Sequence, residues 1–123
     1  MKQLYQHIIR LMPYFFWSSV AIVTVIMLIA SAPKEDAWQY WDKVQHASIF
    51  LILCLAGCLA FKRHKGLIII GLSIFGAVTE VLQETLTTTR TGDVFDWLAD
   101  VVGIFICLLI LPFLRRMKPK RLQ

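Results

Sequence analysis

Apolar residues run almost unbroken through four stretches of the chain, Phe15–Ala32, Val44–Phe61, Gly66–Leu86 and Val94–Leu114, separated by short polar segments. Each stretch reaches the ~18–21 residues that an α-helix rising ~1.5 Å per residue needs to cross ~30 Å of hydrocarbon. The pattern predicts an all-α polytopic integral membrane protein: a bundle of four transmembrane helices in a single membrane domain, residues 1–123. Little chain is left over for a soluble domain.

The breaks between the runs carry their own signals. Ala32–Trp41 is polar at Pro33, Lys34, Glu35 and Asp36 and then aromatic at Trp38, Tyr40 and Trp41, rings that suit a membrane interface. Lys62-Arg63-His64-Lys65 is a tight basic turn, so spans two and three form an antiparallel hairpin with His64 in solvent. Thr87–Gly92 reads as a short loop, because hydroxyl-bearing β-branched residues end in a helix-breaking glycine. Ala30-Ser31-Ala32 has the small-x-small form of a signal-peptidase site, and an uncleaved signal anchor is favoured over a cleaved leader for span one.

Two helices carry packing signals. Span three has Gly71, Ser73, Gly76 and Ala77, small residues that let helices approach. Span four repeats small or acidic residues at Asp96, Ala99/Asp100, Gly103 and Cys107, which makes one stripe facing other helices. Cys54, Cys58 and Cys107 read as small packing residues, and without a C-x-x-C spacing they are a weak zinc signal.

Composition agrees with the membrane class: 58% of residues are hydrophobic and the mean hydropathy is +0.66. The formal charge of +5 changes the picture only through its placement. Lys2 and Arg10 precede span one, Lys62, Arg63 and Lys65 lie between spans two and three, and Arg115, Arg116, Lys118, Lys120 and Arg121 follow span four. The positive-inside rule then puts the N and C termini and the middle turn in the cytoplasm. Topology accounts for the charge, so no nucleic-acid partner is expected; membrane lipids are.

The eight acidic residues, Glu35, Asp36, Asp42, Glu80, Glu84, Asp93, Asp96 and Asp100, all fall on the outer side. Asp42, a helix-start residue, and His46 open span two, Glu80, Gln83 and Glu84 close span three, and Asp93, Asp96 and Asp100 open span four. The bundle therefore gathers them at one level, with Glu80 and Asp100 deepest, ~10 Å below the outer boundary. Against six of these acids stand Lys43 and Arg90. Such an excess of charge does not persist in low dielectric unless some carboxylates carry protons, a cation resides there, or water reaches in. Carboxylates with one imidazole suit a divalent cation. A buried network that fixes helix register, with Arg90 on Asp93 or Asp96 and His46 on a carboxylate, is the purely structural alternative.

The ordered motifs Asp42-Lys43-x-x-His46, Glu80-x-x-Gln83 and Arg90-x-x-Asp93-x-x-Asp96-x-x-x-Asp100-x-x-Gly103 resemble those of VanZ-like membrane proteins, across spans two to four. This chain departs from that pattern at Asp100, where the family carries Asn, and at Cys107, where it carries a small glycine. The resemblance implies a multi-pass protein of the bacterial inner membrane and cell envelope, of a kind associated with resistance to the glycopeptide teicoplanin. Its pocket would face the periplasm or exterior.

Constellation and resemblance together nominate Asp42, His46, Glu80, Arg90, Asp93 and Asp96 as candidate catalytic groups, with His46 or Glu80 as base. Lys43, Gln83, Arg90 and Asp100 are candidate substrate contacts, and Glu80, Asp93, Asp96 and Asp100 candidate ligands of a divalent cation. The expected function is binding or processing the polar head of an envelope lipid or lipid-linked cell-wall precursor. The competing expectations are a proton- or cation-coupled transporter or lipid translocase, which would need a homo-oligomer, and an interaction module without chemistry.

Overall fold

A helix forms wherever the apolar run lasts long enough, because a backbone in hydrocarbon must satisfy every N–H and C=O internally. The computed structural model describes residues 1–29, 40–88 and 92–117. It contains α1 (Lys2–Ile29), α2 (Trp41–Ala60), α3 (Lys65–Leu86) and α4 (Val94–Arg116). All four are long and apolar enough to cross a membrane, and no strand occurs among the described residues. The chain is an all-α, multi-pass membrane protein. Lys34, Glu35, Asp36, Trp38, Ala30-Ser31-Ala32, Arg90 and the tail beyond residue 117 lie outside the described residues.

The first helix departs most from the hydropathy pattern. It begins at Lys2 rather than near Phe15 and continues through Pro13. Its 28 residues rise ~42 Å, more than the ~30 Å of hydrocarbon, so its first turns reach past the apolar slab. Polar Gln3, Gln6, His7 and Arg10 hid those turns from a hydropathy reading, although none of them breaks a helix.

Contacts fix the helix directions. Gln83 near the end of α3 donates from Nε2 to the carbonyl of Met27 near the end of α1, at 2.8 Å. At that same level His46 in the second turn of α2 lies 2.8 Å from Asp100 in the second turn of α4 and 3.9 Å from Glu80 of α3. At the far end the rings of Phe16 and Phe61 meet edge to face at 5.8 Å. Neighbours in sequence therefore alternate up and down. All the pocket acids fall at one end, and the Lys62–Lys65 turn and Arg115 and Arg116 at the other.

α2 touches each of the other three helices, most extensively α4. That interface is close because Gly103 of α4 lies on the backbone of α2: a methyl there would overlap the carbonyl of Ala47. Gly76 plays the corresponding part between α3 and α4, facing the Asp100 carboxylate and Trp97, whose Nε1–H donates to the Ser73 carbonyl at 3.0 Å. Gly71 does not share that role, since it faces open space. Below the polar end the core is apolar, built from Phe16, Phe50, Leu53, Leu72, Ile104, Leu111 and three cysteines. The outward faces, such as Ile70, Ile74, Val102, Phe105 and Leu109, are exposed and contact lipid.

Candidate functional site

Asp93 starts the site. It is the N-cap of α4, in extended conformation, and its Oδ1 accepts the Phe95 N–H at 2.9 Å. Its own N–H donates to Glu80 Oε2 at 3.0 Å, which ties the start of α4 to the end of α3. Its second oxygen takes the Lys43 ammonium at 2.7 Å. The Lys43 ammonium first, and the Phe95 N–H with it, hold this carboxyl below the ordinary carboxylate range.

Lys43 also pairs with Asp96 one turn further into α4. Lys43, a candidate substrate contact by sequence, bridges Asp93 and Asp96 in the structure; the pairing expected of Arg90 lies outside the described residues. Asp42 opens no cap, because α2 begins at Trp41 with Tyr40 at the N-cap position; Asp42 sits in the first turn instead. A carboxylate there is favourable to the helix dipole.

His46 is the centre. Its Nδ1 lies 2.8 Å from Asp100 Oδ1 and 3.9 Å from Glu80 Oε1, while Nε2 faces Asp96 Oδ2 at 3.9 Å. His46, Glu80, Gln83, Asp96 and Asp100 are all buried, Asp100 completely. Donor atoms of Asp42, His46 and Asp96 lie within 4.8 Å of one another, and so do those of His46, Glu80 and Asp100. Asp93 belongs to neither group, both its oxygens being engaged. Glu84 turns outward, exposed, with Oε2 on the Gly92 N–H.

Three acceptor oxygens in this cluster are buried without a hydrogen-bond donor: Glu80 Oε1, Gln83 Oε1 and Asp100 Oδ2. Orphaned acceptors cost ~1–3 kcal/mol each, more where charged, so Glu80 and Asp100 beside His46 call for a proton, a water or a cation. The donor set fits a divalent cation: carboxylate oxygens with one imidazole nitrogen suit magnesium, manganese or zinc. If Asp100 accepts the Nδ1–H, the tautomer leaves the Nε2 lone pair aimed between Asp42 and Asp96, the usual carboxylate–histidine–metal relation.

A cavity of about 450 Å³ between α1 and α2 is lined in part by Asp42 and His46. Asp42, Gln45, His46 and Ser48 give it a polar strip, opposite apolar Ile26 and Met27. The sequence reading does not single out Gln45 or Ser48, although the spacing of three between Asp42 and Gln45, and again between Gln45 and Ser48, makes each pair neighbours on α2. A second groove, between α3 and α4, carries Glu80, Glu84, Gly92 and Asp93 beside Val81 and Trp97.

No family model matches the chain, and no solved structure matches it. It is 34% identical over 88 residues to an uncharacterized protein of the yeast Schizosaccharomyces pombe, a stretch covering 67% of this chain and 54% of the yeast protein. The chain thus spans about half the length of that relative.

Proposed function

We propose that this is a VanZ-like envelope membrane protein whose acidic pocket binds a divalent cation at His46, Asp42 and Asp96 and, through it, the phosphate-bearing head of an envelope lipid or lipid-linked precursor. The observation that carries this reading is the imbalance of the buried cluster. Asp42, Glu80, Asp93, Asp96 and Asp100 surround one lysine and one histidine, and donor atoms of Asp42, His46 and Asp96 converge within 4.8 Å of one another, apart from the orphan oxygens of Glu80 and Asp100. Lys43 is already held by two aspartates, so it is poorly placed to receive an anionic head. A cation supplies the missing positive charge and, for a hydrolytic step, an acidified water.

The protein's own groups divide the work. Asp42 and Asp96 supply oxygens, His46 supplies Nε2, Asp100 orients the ring through Nδ1, and Lys43 holds Asp96 in place. Glu80, with Oε1 unpaired, lines the groove between α3 and α4 and stands as the base for a water approaching from that groove. Apolar Ile26, Met27 and Val44 suit the start of an acyl or polyprenyl chain. The basic residues at the other end of the bundle favour a cytoplasmic placement for that end and a periplasmic one for the pocket. The motif resemblance supports a bacterial inner membrane and a link to glycopeptide resistance.

A second reading takes the same orphan oxygens as proton carriers in a transporter, with Glu80 and Asp100 protonated in one state of a cycle. Calorimetric titration of Mg²⁺, Mn²⁺ and Zn²⁺ into detergent-purified protein separates the two. Stoichiometric binding that disappears in Asp96→Ala and His46→Ala is expected. Absence of binding to the wild type would overturn the cation-centred reading and leave the proton-coupled one.

A further inference from the structure

We propose that Cys54, Cys58 and Cys107 form a three-thiolate site for a soft monovalent metal ion, copper(I) above all, separate from the acidic pocket. The three residues come from two helices. Cys54 and Cys58 share one face of α2 at a spacing of four, and Cys107 faces them from α4. Their sulfur atoms lie within 4.8 Å of one another, and all three side chains are buried.

The geometry suits three-coordination. Metal–sulfur bonds of ~2.3 Å in a trigonal plane need sulfurs ~4.0 Å apart, which small rotations about Cα–Cβ supply from the present spacing. Soft thiolates select copper(I) over hard cations, and among the described residues no carboxylate or imidazole joins this group to favour magnesium or manganese. The acidic cluster is remote: Cys54 stands eight residues beyond His46 on α2, ~12 Å of helical rise.

Position along the bundle supplies charge. Cys58 is two residues from the end of α2 at Ala60, ~3 Å of rise, and Cys54 and Cys107 lie deeper, so the site is in the part of the bundle toward the basic end. A copper(I) ion with three thiolates carries excess negative charge, and Lys62, Arg63, Lys65, Arg115 and Arg116 are grouped at that end of the bundle. Each thiol that ligates gives up its S–H proton to solvent as a copper–sulfur bond forms. Copper enters and remains as Cu(I), so no oxidant or reductant is consumed.

The test uses the full chain in detergent, reduced and handled without oxygen, with copper(I) presented as its bicinchoninate complex. One equivalent is expected to transfer from the chelator, with near-ultraviolet sulfur-to-copper absorbance and an X-ray absorption signature of sulfur ligands alone. Cys58→Ala and Cys107→Ala should each lose that transfer while keeping wild-type helicity and elution volume. His46→Ala should keep it, which separates this site from the acidic pocket. Transfer that survives in a Cys54→Ala/Cys58→Ala/Cys107→Ala chain would overturn the proposal. So would nitrogen or oxygen ligands in the absorption spectrum, or a disulfide among the three in protein isolated under reducing conditions.

Discussion

His46 Nδ1 lies 2.8 Å from Asp100 Oδ1, a buried contact that ties the second turn of α2 to the second turn of α4. It sets the imidazole plane, and with it the direction in which Nε2 faces Asp96. Asp100 is therefore a positioning residue for whatever His46 holds.

Asp100→Asn keeps an oxygen for His46 but removes the carboxylate charge. The helix content should stay at the wild-type level, while divalent-cation affinity measured by calorimetry falls about 10–100-fold, the usual cost of a lost outer partner. Asp100→Leu strands the Nδ1–H and should lower unfolding stability by about 1–3 kcal/mol. An Asn variant that binds cations as the wild type does would remove Asp100 from the site.

Lys43 and Asp96 should behave as a coupled pair. Lys43→Met leaves the buried Asp96 carboxylate without its cation, and Asp96→Leu leaves Lys43 with Asp93 alone. Thermal unfolding of both single variants and the double variant should give a coupling energy of about 0.5–3 kcal/mol. Additive effects would mean that the ion pair contributes nothing beyond its separate parts.

Asp93 makes a pH prediction with a definite sign. Its carboxyl is held below the ordinary range by Lys43 and by the Phe95 N–H, so its folded pKa lies under the unfolded value of ~3.9. The stability it contributes is present above that value and is lost as pH falls through the folded pKa. Between about pH 5 and pH 2 the wild type should lose more thermal stability than Asp93→Asn, which keeps a cap without a titrating charge. Equal losses would show that the Lys43 pairing does not stabilise the fold.

The glycines should rank by what their missing side chains would meet. Gly103→Ala drives a methyl into the Ala47 carbonyl and separates α2 from α4, so it should cost about 1–3 kcal/mol and weaken cation binding, because each helix supplies part of the site. Gly76→Ala pushes against Asp100 Oδ2 and should affect binding more than folding. Gly71→Ala meets nothing and should change unfolding by less than about 0.5 kcal/mol.

Hydropathy and spacing along the chain were enough to determine the class of this protein, its four helices and the level at which Asp42, His46, Glu80, Asp96 and Asp100 gather. Those properties are local: an apolar run sets where a helix crosses, and a rise of ~1.5 Å per residue sets how deep each side chain lies. Asp93 at the start of α4 was legible for the same reason, a polar residue just before an apolar run. A carboxylate beside His46 was legible too, but the other partners were not. Only packing decided that Lys43 bridges Asp93 and Asp96, that Glu84 turns outward while Glu80 turns in, that Gly103 rather than Gly71 sets a helix crossing, and that three cysteines meet. Each depends on the rotation of a helix about its own axis, where one residue is worth ~100° of face. That rotation follows from how neighbouring side chains fit, which hydropathy along a single helix does not contain.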